Sequence, residues 1–255
     1  TAYISTHPMT SERMSDMQNR TRHMSPVTHR DSMDFFLVKA RARVLQETTY
    51  DGWLKVSKSF ENELKRHPAG YSLVATQYGL SVAYAKMNQK DKALTAIRAA
   101  KAASKENSVI LDKHLAELTY QVAKTQAQKD QALALAKSTC NQYPYSGLAA
   151  SNYVELLFQS GKHQELVDYL RNQSALSRSN PDYHMYLARS YEALGKKSMA
   201  FAATGDMYAL LDNPRAAVYQ FELAQKANDG DFYIMSEIDA KLREQRQKVL
   251  DQKKD

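Results

Sequence analysis

A recurrence in the middle of the chain constrains its fold more than any other feature. Ala93, Ala132, Leu166 and Ala200 each open an amphipathic segment, and they are separated by 39, 34 and 34 residues. Each follows a second amphipathic segment across a short turn. In the first unit Leu80, Ser81 and Tyr84 precede the turn Met87-Asn88-Gln89-Lys90, and Ala93, Ile97 and Ala100 follow it. The second unit has Ala123, Ala132 and Ala136 and closes at Pro144; the third has Tyr153 and Leu157, then Gly161 in its turn, then Leu166 and Leu170. In the fourth, Asn180-Pro181 starts a helix, Leu187, Ala188 and Tyr191 line it, Gly195 makes the turn and Ala200 follows. Small residues at these offsets let two helices approach to about 8–10 Å. A fixed period of this length predicts stacked helix–turn–helix units that bury one another's faces, not one globular core.

The unit resembles the tetratricopeptide repeat, which implies an all-α solenoid, here of about eleven antiparallel helices. Composition agrees: 8 Gly and 6 Pro in 255 residues are too few for the turns of a sandwich or an open sheet. Gly205, Tyr208, Ala217, Phe221 and Ala224 repeat the pattern only half a period later. The helix from about Lys196 to Leu211 is therefore expected to serve two pairings, as second helix of one unit and first of the next. Segments Asp31 to Glu47 and Asp51 to Arg66 read as a degenerate opening pair, and a polar last helix, about Phe232 to Lys253, as the cap against solvent. The expected organisation is a leading segment over 1–30, the opening pair over 31–70 and repeats with their cap over 71–255.

The first thirty residues carry no helical repeat pattern, and a chain opening on Thr1 reads as the remainder of a longer polypeptide. Thr6-His7-Pro8 followed by Arg13, and the continuation Ser15-Asp16-Met17-Gln18-Asn19-Arg20 leading into helical repeats, resemble zinc metallopeptidases of the M48 family. The match is to the periplasmic branch, in which a signal peptide and a zinc protease domain precede the repeats. That resemblance implies a periplasmic location and a full-length zinc enzyme with His7 and Arg13 beside its active cleft. There His7 is a candidate to cap the open zinc position. It also implies three partners: the chain's own protease domain, the outer-membrane β-barrel assembly machinery and outer-membrane proteins. None of the seven histidines forms His-Glu-x-x-His, the spacing that turns two imidazoles toward one metal with a carboxylate between them. The chain is thus expected to be non-catalytic, with no metal or cofactor of its own.

Function in a repeat array sits on the groove lined by the first helix of each unit. Counting the unit backwards from Ala93 and its equivalents gives Tyr78, Val82, His114, Gln121, Glu155, Phe158, Met185 and Arg189 as groove candidates, with packing as the competing role for each. Tyr78 and Val82 stand where a carboxylate clamp would need Lys and Asn, which argues against that mode. Cys140, the single cysteine, reads as a packing residue. A net charge of +7 is spread along the chain; the basic lean of the last fifteen residues comes with no nucleic-acid fold signature and reads as a solvated helix face. No apolar run is long enough to span a bilayer. A stand-alone cytoplasmic repeat scaffold is the alternative reading.

Overall fold

A computed structural model describes residues 10–22, 31–173 and 179–252. Among them are thirteen helices: α1 (Thr10–Thr21), α2 (Met33–Leu45), α3 (Tyr50–Leu64), α4 (Gly70–Lys86), α5 (Lys90–Ala103), α6 (Val109–Val122) and α7 (Gln126–Gln142), followed by α8 (Gly147–Gln159), α9 (His163–Asn172), α10 (Pro181–Ala193), α11 (Lys197–Leu210), α12 (Pro214–Ala227) and α13 (Phe232–Asp251). Each sequential pair from α4/α5 to α10/α11 is a helix hairpin packed on the next, with buried residues grouped in successive clusters along the stack. The chain is a tetratricopeptide-repeat solenoid.

The helix count exceeds the expected eleven partly because Thr10–Thr21 is helical. Its side chains are exposed from Arg13 to Thr21, and an Arg20–Asp16 pair one turn apart, at 2.9 Å, supports it locally. Local pairing of this kind leaves no apolar stripe for a periodicity argument to find.

Turn chemistry explains why the hairpins close alike. Asn88, Gly161, Gly195 and Asp212 occupy the middle of three-residue turns with φ of 59°, 68°, 74° and 53°. Left-handed backbone there lets the next amide reach back five residues, as in Lys162 N to Leu157 O at 3.0 Å and Lys196 N to Tyr191 O at 2.9 Å. The α6–α7 turn lacks this device. A capping box at Thr125 and Gln128 starts α7 instead, and α7 begins six residues before Ala132, where α5 and α9 begin three before Ala93 and Leu166. Most of the five-residue excess in the 39-residue spacing therefore lengthens a helix.

The half-period step is real in three dimensions. Helix α11 packs on α10 through Ala200 and Ala203 and on α12 through Gly205 and Ala209. A Cβ on Gly205 would lie 2.7 Å from the ring of Phe221, so only glycine admits that ring against the helix. Gly79 receives Phe60 in the same way, at 2.5 Å. Helices α2 and α3 both dock on α4. The basic residues of α13 are tied to neighbours as well as solvated: Lys241 pairs with Asp206 and Arg246 with Glu222, each at 2.8 Å.

The turn after α12 returns to cap α11. Asp229 accepts from the Lys197 and Ser198 amides at 2.7 and 2.8 Å, while the buried Ser198 hydroxyl donates to Ala224 O at 2.9 Å. These bonds, that of Ser198 foremost, hold the Asp229 carboxyl below its ordinary value. A carboxyl depressed by folding stabilises above the ordinary aspartate value near 4 and loses that contribution as pH falls through its folded value. Asp229→Ala is expected to cost about 1 kcal/mol at pH 7, the usual worth of a cap. In urea titrations its deficit against the parent chain should shrink toward pH 3; a deficit independent of pH would contradict the cap.

Candidate partner-binding grooves

Four helices converge on the first groove. Val38 and Arg41 of α2, Tyr78 of α4, Ile110, His114 and Glu117 of α6 and Leu148 of α8 surround a cavity of about 310 Å³. Tyr78 and His114 meet edge to face, ring centres 5.5 Å apart. His114 Nε2 lies 3.0 Å from Ser81 Oγ, whose hydrogen is already given to Ala93 O at 2.7 Å, so the imidazole is the donor in that pair. Arg41 donates to the Tyr78 hydroxyl at 3.4 Å and has no carboxylate partner among the described residues. Burial pushes the Tyr78 phenol up, with Arg41 opposing. Burial also works against the Glu117 carboxylate, but His114 and Lys113 outweigh it and hold the carboxyl below its usual range. The wall is thus apolar at Val38, Ile110 and Leu148 and cationic at Arg41.

Register within α6 differs from the count back from Ala132, because the extra turn of α7 intervenes. Measured from the hairpin turn, the residues eight before each first helix's end are Tyr78, His114, Ser151 and Met185. His114, not Glu117, is level with Tyr78, and Gln121 is exposed at the position of Ala85 and Phe158.

Tyr78 and Val82, only 1% and 3% exposed, are corrections to the open-groove expectation. Helix α4 is flanked by α2, α3 and α5, and the same core holds residues from all four. Val82 presents nothing to a partner; Tyr78 and His114, also buried, reach the cavity only by an edge. Glu155 and Phe158 are half-buried, and Phe158 packs edge to face on Tyr186 at 5.2 Å and on His163 at 5.6 Å. Cys140 is buried, accepting from the Tyr169 hydroxyl at 3.4 Å. Arg13 is exposed on α1; His7 lies outside the described residues.

Met185 and Arg189 belong to a second, larger cavity of about 650 Å³ between α10, α11 and α12. Phe201, Met207 and Leu223 complete its wall, and the first-helix rule could not have found them because they sit on α11 and α12. The one sequence signal was the half-period offset, which makes a second helix line a groove.

Fold and grooves together define a repeat protein built from helix hairpins. No protein-family profile matches the chain. It is 24% identical over 213 residues to the β-barrel assembly-enhancing protease of Escherichia coli K12, covering 80% of this chain and 40% of that protein; the Shigella flexneri relative gives the same figures. The chain therefore spans about 40% of the length of the curated relatives it matches. Among solved structures, a MamA mutant superposes with a TM-score of 0.51 at 16% identity, over 71% of this chain and 93% of that one. MamA MSR-1 gives 0.50 at 16%, over 71% and 97%. A tetratricopeptide repeat protein from Parabacteroides merdae gives 0.47 at 11%, over 92% and 90%. Among the described residues no helix is long and apolar enough to cross a membrane.

Proposed function

We propose that this chain is the interaction domain of a periplasmic zinc metallopeptidase that acts in outer-membrane β-barrel assembly. It would recruit the assembly machinery and barrel proteins for folding or degradation. The similarity over 80% of the chain to the β-barrel assembly-enhancing protease carries the proposal. The groove between α2, α4, α6 and α8 supplies a surface for it, with a cationic and apolar wall open to an extended segment of a client. Zinc in this reading belongs to the protease domain preceding Thr1, since the His-Glu-x-x-His ligands are not in this sequence. This chain's share in catalysis would be confined to His7 and Arg13 at the domain junction.

The test is the mass and zinc content of the endogenous polypeptide recovered from a periplasmic extract with an antibody to this chain. The expected result is a zinc-bearing polypeptide at least about twice this size, with photo-crosslinkers at Arg41 and Leu148 trapping outer-membrane barrel proteins. A zinc-free polypeptide of this chain's own size would overturn the protease reading and leave a stand-alone scaffold.

A further inference from the structure

A second cavity lies between α10, α11 and α12, where α11 serves two pairings. Helices α10 and α12 both pack on α11 and touch each other little or not at all, as is also true of α4 and α6. A space of about 650 Å³ is left between them, in the range of pockets that hold ligands. Its floor is apolar, with Phe201 and Leu223 beside Met185 and Met207, two thioether side chains that adapt to an incoming shape. The rim is charged and unbalanced. Among the residues lining it, Arg189, Lys197 and Lys226 face one acid, Glu192, and none of the four makes an ion pair among the described residues. Asp229, the acid beside Lys197, is engaged by the Lys197 and Ser198 amides.

We propose that this cavity receives the apolar face of an amphipathic helix from a partner protein, with Asp or Glu on the flanks of that face. An apolar floor under a rim of unpaired cations is complementary to such a helix, with anchors at i, i+3 or i+4, and i+7. The rim charges set which helices are accepted, and the floor supplies the affinity. The inference stands apart from the protease reading, because it rests on the lining of this cavity and not on the similarity to any relative.

Fluorescence anisotropy of the full chain tests it with two labelled peptides of roughly 16 residues, each with Leu at i, i+3 and i+7. One carries Glu on its flanks and the other Lys. The expected result is binding of the Glu peptide, with the Lys peptide weaker by about tenfold or more. Arg189→Glu combined with Lys226→Glu, both at exposed positions, should reverse that order while circular dichroism is unchanged. Met207→Trp, which fills the floor, should weaken the Glu peptide at an intact rim. Equal binding of the two peptides, or a preference that survives the double substitution, overturns the proposal. So does a chain dimer that the double substitution dissociates, which would give the cavity to a second copy. A photo-crosslink from position 201 to residues before Asp31 likewise overturns it, giving the cavity to the chain's own leading segment. Each of these outcomes leaves the mass and zinc content of the endogenous polypeptide untouched.

Discussion

Phe221→Ala should lower the stability of the C-terminal part of the solenoid by about 3–5 kcal/mol, the cost of emptying a buried aromatic site. Phe221 is 1% exposed, packs with Ala217, Ala224, Ile238 and Leu242, and presses its ring against the Gly205 backbone. The effect should be local, because each unit of a solenoid contacts only its neighbours and stability is a sum along the stack. Urea unfolding followed by hydrogen exchange is expected to show α11 to α13 opening at lower denaturant while the units around α4 to α8 keep their protection. Gly205→Ala approaches the same ring from the other side. Overpacking costs about 1–3 kcal/mol, offset by roughly 1 kcal/mol of helix propensity gained over glycine. Phe221→Leu in the Gly205→Ala background should then cost less than the two changes measured separately. Strict additivity would mean that glycine is not there to admit the ring.

Asn152→Leu should have the opposite sign. Asn152 is fully buried on α8, and neither its Oδ1 nor its Nδ2 meets a partner among the described residues. A buried amide without hydrogen bonds costs about 1–3 kcal/mol, and leucine has nearly its shape without its polar atoms. The thermal midpoint should rise, and the urea midpoint with it at an unchanged slope. A lower midpoint would show that the amide is satisfied in solution, and would make Asn152 a residue that specifies how α8 packs.

Much of the repeat architecture was legible because its causes are local. A helix hairpin needs a small residue at the contact, such as Ala93 or Ala200, and a turn that tolerates left-handed backbone, such as Asn88, Gly161 or Gly195; each is visible within a single unit. The shared helix α11 was legible too, since Gly205, Tyr208, Ala217 and Phe221 carry a second copy of the pattern. The helix Thr10–Thr21 was not, because its side chains have no apolar face to repeat.

The groove was less legible. A first-helix position faces the groove by its place in the period, but whether it is open depends on what the neighbouring helices cover. Val82 has a groove position and no groove exposure, and Tyr78 keeps only an edge on the cavity, since α2 docks on α4 beside them. In α6 the added turn of α7 displaced the register by about one helical turn, which put His114 level with Tyr78. Phe201, Met207 and Leu223 reach the larger cavity only because α10 and α12 stand apart on a shared helix. Sequence by itself determined the helices, their turns and their pairing, because these follow from residues a few positions apart. Tertiary structure alone decided which surfaces stay open, because exposure is a sum over neighbours distant in the chain, and one extra turn or one shared helix changes that sum without changing any repeat.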